Sequence, residues 1–134
     1  MTTRIIKFIT GIIIIMNIPF IASAQVEDFK NSTPEERAEF QTEWMKSELS
    51  LDSSIVPNVY SINLKYSKKM QSIMNSGGSR IQKYREFKAS SDAKDAELKS
   101  VLTKDQYKIY QQRKEEMKQK LKERIQEKRK NSNY

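Results

Sequence analysis

The chain contains neither histidine nor cysteine. Without them the commonest nucleophile–base pairs and the usual transition-metal ligand sets cannot be assembled. No disulfide can form, and no lipid can be attached through a cysteine. Only 3 glycines and 3 prolines punctuate 134 residues, which speaks against an all-β fold with its many tight turns. A glycine-rich phosphate loop is missing as well, because Ser76-Gly77-Gly78-Ser79 follows a helical pattern and lacks the GxxxxGK spacing. Carboxylates alone could hold a hard cation, yet no EF-hand spacing occurs. The paired acids Glu35-Glu36 and Glu115-Glu116 fall on charged helix faces. The expectation is a protein that is not an enzyme and uses no cofactor and no metal.

What is present is charge, in excess of one sign. Lys plus Arg number 25 against 17 Asp plus Glu, a formal net charge of +8. Arg4 and Lys7 precede an uncharged run from Phe8 to Met16, followed by Asn17, Pro19 and the small triplet Ala22-Ser23-Ala24. A positive segment, a short apolar run and an A-x-A-like site together predict a secretory signal peptide over residues 1–24, cleaved after Ala24. The alternative is a transmembrane helix, but Asn17 and Pro19 interrupt the uncharged stretch, which ends at Val26. Cleavage removes two basic residues and no acidic one, so +8 becomes +6. The mature chain is expected to be exported, soluble, still basic, and without direct membrane insertion.

Residues 25–32 carry no sustained period and read as a flexible arm. Residues 33–130 read as a single all-α domain of four helices. Thr33-Pro34-Glu35-Glu36 opens the first: a threonine cap, proline where its missing N–H is not needed, and Glu36 closing a capping box. Ala38, Phe40, Gln41, Trp44, Met45, Leu49 and Leu51 are placed on its inner side and Glu35, Arg37, Glu39, Glu43 and Lys46 opposite, with Trp44 as a core anchor. The second helix must accommodate Pro57, so a late or distorted start is expected whether Asp52 or Ser54 caps it. Its stripe is Ile55, Val59, Ile62, Tyr66, Met70 and Ile73. Asn75 to Ser79 should end it through a left-handed glycine, and Ser79 should cap a third helix folding back as an antiparallel hairpin. Ile81, Tyr84, Phe87, Leu98, Val101 and Leu102 are the third helix's apolar groups, with a thinly packing gap from Ala89 to Asp95. A fourth helix from Thr103 to about Lys130 would be roughly 40 Å long. Its seam of Tyr107, Tyr110, Lys114, Met117, Leu121, Arg124 and Ile125 should be buried in the first half and partly buried in the second. Residues 131–134 read as a disordered tail.

The joint between the last two helices is the best-defined stretch. In Leu102-Thr103-Lys104-Asp105-Gln106, Thr103 can accept from a backbone N–H one turn on and Gln106 can reach back to the Thr103 N–H. Leu102 and Tyr107 have the spacing of a hydrophobic staple. A degenerate copy begins at Leu51, with Asp52 in the place of the threonine. Two such sites in a short exported helical chain resemble the Spy/CpxP family of periplasmic proteins, whose signature is two LTxxQ motifs. The second matches at Leu102, Thr103 and Gln106, and the first keeps Leu51 with Asp52 as a substitute. The resemblance implies an extended helical hairpin or cradle, an antiparallel homodimer, a periplasmic location, a role in stress response, and ATP-independent binding of unfolded or partially folded proteins. It also implies an alternative, a regulatory partner of a membrane-bound envelope-stress sensor. Zinc-responsive members use histidines, which this chain lacks. In the chaperone reading Lys65, Tyr66, Lys68, Lys69, Met70, Met74, Arg80 and Lys83 on the second and third helices form the client surface. A solvated structural helix bundle is the plainer reading. Nucleic acid is not an expected partner, because the nine basic residues from Arg113 to Lys130 are interspersed with four glutamates.

Overall fold

In a computed structural model of the protein, residues 31–131 are described, and the fold concerns the unit from Ser32 onward. Four helices follow one another: α1 (Pro34–Leu49), α2 (Val56–Asn75), α3 (Arg80–Val101) and α4 (Lys104–Asn131). No strand occurs among the described residues. The fold is all-α, as expected. The signal peptide expected over residues 1–24, most of the expected arm and residues 132–134 of the expected tail lie outside the described residues. Asn131, placed in that tail by its sequence, is the last residue of α4.

Each helix boundary has a local cause. At α1, Thr33 Oγ1 accepts from the Glu36 N–H at 3.2 Å, and Glu36 Oε2 accepts from the Thr33 N–H at 2.7 Å, so two orphan donors are satisfied reciprocally. α1 ends at Ser50, held in the left-handed region with φ 49° and ψ 53°, while the Leu51 N–H reaches back to the Lys46 carbonyl. That position suits glycine, since a Cβ crowds the following carbonyl there. Ser50→Gly is therefore expected to stabilise the domain by about 0.5 kcal/mol, an increase of roughly 2–4 °C in Tm on thermal denaturation. An unchanged or lower Tm would show that the strain is already relieved.

α2 starts late, as Pro57 requires. Its N-cap is Ile55, which offers no side-chain cap, and Pro57 falls within the first two helical positions, where its missing N–H costs nothing. Asp52 therefore does not cap α2. Its Oδ1 accepts from the Ser54 N–H at 2.8 Å, and the Ile55 N–H reaches the Asp52 carbonyl at 3.1 Å, closing a turn ahead of the helix. α2 ends without a left-handed glycine, because neither Gly77 nor Gly78 has positive φ. Ser76 instead continues in extended conformation, and its hydroxyl and N–H both donate to the Ile73 carbonyl. Ser79 Oγ caps α3 by accepting from the Gln82 N–H.

Side-chain pairings give the helix directions. Glu35, Arg37 and Thr42 of α1 meet Lys68, Gln71 and Asn63 of α2, early against late, so these helices are antiparallel. α2 and α3 pair the same way, with Lys65 against Glu97 and the Met74 carbonyl against Lys83. α4 docks only through its first turns: Gln106 Nε2 donates to the Leu49 carbonyl, and Arg113 pairs with Glu48 at 3.1 Å.

The core lies where all four helices converge: Met45 and Leu49 from α1, Val59, Ile62 and Tyr66 from α2, Leu98 from α3 and Tyr110 from α4, closed by Leu51 and Leu102 at the joints. Trp44 is half-buried against it. Four assignments need correcting. The buried stripe of α1 is Ala38, Thr42, Met45 and Leu49, at steps of four and three, so Phe40 falls off it and is 63% exposed. Thr42 can be buried because its hydroxyl donates to the Ala38 carbonyl and accepts from Asn63. Arg37, placed outward by its charge, is buried, with its guanidinium donating to the Ser32 carbonyl and Gln71 Oε1. Third, Ile81 and Tyr84 of α3 lie outside the core, and fourth, the second half of α4 is wholly exposed from Met117 onward.

Candidate functional site

The LTxxQ stretch does what its residues allow. Thr103 Oγ1 accepts from the Gln106 N–H at 3.2 Å, and Gln106 Oε1 accepts from the Thr103 N–H at 3.1 Å. Leu102 is buried in extended conformation, Tyr107 packs against the same core, and the helix is broken between Val101 and Lys104. Gln106 Nε2 also donates to the carbonyl of Leu49, so the box ties the joint to the end of α1. Leu51, the surviving residue of the degenerate copy, is buried beside it. In both sites the motif residues Leu51, Asp52, Leu102, Thr103 and Gln106 are engaged within the fold, where they fix how the chain turns.

The gap from Ala89 to Asp95 carries a polar seam instead of apolar packing. Tyr110 donates its hydroxyl to Asp95 Oδ1 at 2.9 Å, and Lys114 reaches both Asp95 Oδ2 and Ser91 Oγ. Burial and the Asp95 carboxylate push the Tyr110 phenol well above its ordinary range. Lys94 reaches across to Gln41 on α1, and its burial, together with the neighbouring Lys114 charge, brings its ammonium down to about 8. Asp95, Ser91 and Lys94 are each bonded to a neighbouring helix, so the seam works as a clamp between elements.

Residues on the α2–α3 hairpin divide into two groups. Tyr66 is corrected out of the surface: it is 7% exposed, and its hydroxyl donates to Glu97. Lys65 pairs with the same carboxylate and lies over the Tyr66 ring at 5.3 Å. The hydrogen bond with Glu97 raises Lys65, and that with Lys65 lowers Glu97. Lys68 pairs with Glu35 at 3.2 Å. The other group faces solvent: Lys69, Met74 and Arg80 are exposed, Met70 and Lys83 are partly so, and Lys83 Nζ donates to the Met74 carbonyl.

The sequence reading missed the principal exposed face here. Ile81 and Tyr84 are 67% and 68% exposed, and with Arg85 and Lys88 they occupy positions i, i+3, i+4 and i+7, one side of α3. The signal was available, since two cations share the face of the two apolar groups, which a core-facing stripe would not tolerate. Among the described residues no group of three or more acidic side chains is arranged to hold a metal ion. The arrangement can offer apolar area beside positive charge, the composition of a protein-contact surface.

No curated protein and no solved structure matches the chain. A family model described as a domain of unknown function, DUF4890, matches residues 22–110, from the small residues ahead of Gln25 to the last buried residue of α4. That span covers more than half of the 134 residues, and the chain belongs to the DUF4890 family.

Proposed function

We propose that this protein is an exported, ATP-independent binder of unfolded or partly folded polypeptides, acting in the periplasm as a chaperone of the Spy/CpxP kind, with α2 and α3 as its client surface. The observation that carries the reading is the face of Ile81, Tyr84, Arg85 and Lys88, where large apolar groups are held in water beside cations. A stable monomeric domain gains nothing from leaving them there, whereas a holding surface needs modest apolar area for weak contact and charge to speed encounter. Met74 and the half-exposed Met70 extend the surface with flexible side chains that adapt to different partners. The leader and the complete LTxxQ motif support the comparison with Spy/CpxP, whose members work as homodimers.

The test is suppression of aggregation. Residues 25–134, at near-stoichiometric amounts, are expected to suppress light scattering from several unrelated unfolding proteins. Arg85→Glu with Lys88→Glu is expected to abolish most of that effect, as is Ile81→Ser with Tyr84→Ser, while helicity by circular dichroism is retained because all four side chains are exposed. Lys65 and Lys68 are poorer probes, since reversing either breaks a pair between helices, whereas Lys88 pairs with Asp92 one turn on in its own helix. One saturable target without general suppression would favour the sensor-docking role instead.

A further inference from the structure

The distal half of α4 shows a segregation that neither its composition nor the hairpin surface accounts for. Tertiary contacts of α4 end near Lys114, and every residue from Met117 to Asn131 is exposed. Met117, Leu121 and Ile125 recur at steps of four and are 61%, 59% and 44% exposed, an apolar stripe about 12 Å long. Charge is sorted around it. At about 100° per residue, Lys118, Lys120, Lys122, Arg124, Lys128 and Arg129 all fall within about 100° of the stripe centre on one side or the other. Glu115, Glu116, Glu123 and Glu127 lie about 120° or more away, on the opposite face together with Lys130. The half of the helix that carries the stripe is thus free of acid from Met117 to Asn131.

We propose that this face adsorbs to an anionic lipid bilayer, with the helix in the interfacial plane and the cations reaching the headgroups. The breadth of the cationic sector selects this occupant. A partner helix touches a narrow seam, and cations about 100° round on both sides would lie beyond it, whereas a plane meets half the circumference. A second copy is disfavoured, because in either orientation the two cationic rims would face each other with no acid on that half to pair them. The stripe is too short to hold the helix on a neutral surface, so the charge must supply most of the binding. The attachment is adsorption, since no helix among the described residues is long and apolar enough to cross a membrane. The inference is independent of client binding, which uses another face.

The test is co-sedimentation of residues 25–134, which retain the whole core described above, with vesicles of phosphatidylcholine alone and with about one third phosphatidylglycerol. Binding is expected only to the anionic vesicles. Lys118→Gln with Lys122→Gln should weaken it roughly 30-fold, from about a fivefold contribution per cation at a charged surface. Arg85→Gln with Lys88→Gln removes the same charge from the hairpin and should leave binding within about threefold. Leu121→Ser with Ile125→Ser should also weaken it, and all these side chains are exposed, so the fold persists. Equal binding to neutral vesicles would overturn the proposal, as would equal losses in the two charge variants. So would capture by polyglutamate in preference to vesicles, or a dimer that the Leu121→Ser, Ile125→Ser variant dissociates.

Discussion

Leu98→Ala is expected to destabilise the domain by about 3–4 kcal/mol, enough to lower Tm by roughly 12 °C or more. Leu98 has no accessible surface and is the apolar group through which α3 enters the core formed with Met45, Leu49, Val59, Ile62, Tyr66, Leu102 and Tyr110. Its removal leaves a cavity bounded by all four helices, and collapse into it would have to drag several backbones at once. The cost therefore includes both the lost transfer free energy and the void, which is the case for Leu→Ala changes at the upper part of their range. Ile81→Ala on the same helix is the control. Ile81 is 67% exposed, so its truncation should shift Tm by no more than about 2 °C. Two aliphatic residues on one helix thus separate by a large margin if the core sits at the joint end of α3. Comparable losses in the two variants would mean that the hairpin end is buried too.

The contrast also shows what could be seen in the residues alone. Helix starts were legible wherever a side chain makes the boundary: Thr33 with Glu36, Ser79 with the Gln82 N–H, and Thr103 with Gln106 each close as local chemistry dictates. Local bonding depends on neighbours three residues apart, and those are written in the chain. The turn at Asn75 to Ser79 was legible as a turn, while its conformation was not, because glycine permits a left-handed residue without requiring one. Which face of a helix is covered depends on partners far along the chain. Phe40 and Ile81 look like core residues by type, yet α1 buries Thr42 and Arg37 in the arc that its neighbours cover. A buried arginine is accommodated by Ser32 and Gln71, thirty-four residues distant in the latter case, and no local pattern announces such a partner.

The candidate surface was legible at Lys69, Met74 and Arg80, which face solvent, and misread at Tyr66, which is buried. Lys65, Tyr66 and Lys68 read as free on a helical wheel because Glu97 and Glu35, which hold them, belong to other helices. Ile81 and Tyr84 read as core because large apolar groups usually are. Arg85 and Lys88 between their turns were the corrective, and the same reasoning resolves α4, where the heptad-like seam is packed only as far as Lys114. Beyond that point the helix is supported by local terms: Lys118 pairs with Glu115, Arg113 with Glu116, and Lys128, Arg129 and Lys130 oppose the negative end of the helix dipole.

Lys94→Met is expected to raise stability by about 2 kcal/mol at pH 7, roughly 8 °C in Tm, with the gain fading as pH rises toward 10. Lys94 sits on α3 where α1 and α4 close over it, with Gln41 as its hydrogen-bond acceptor, Asp95 beside it and the Lys114 ammonium near enough to repel. Burial first, and then Lys114, bring it from 10.5 to about 8, while Asp95 opposes the shift. Because the folded value lies below the unfolded one, the unfolded chain binds more protons between the two, and stability must rise with pH across that window. Below about 8 the penalty for holding the ammonium inside is complete and constant. At about 1.4 kcal/mol per unit the shift corresponds to at most about 3.5 kcal/mol, and the partial contact of this side chain with water brings it nearer 2. Methionine keeps the length and removes the charge, and Gln41, half-exposed, regains water as a donor. The comparison of each protein with itself belongs between pH 7 and 9, since above that range ionisation of tyrosines in the unfolded chain lowers stability through the buried, raised phenols of Tyr66 and Tyr110. Wild-type protein should gain stability from pH 8 to 9 while the variant stays flat. A variant less stable than wild type at pH 7, or a wild type indifferent to pH in that window, would mean that the ammonium is better solvated than its place between three helices allows.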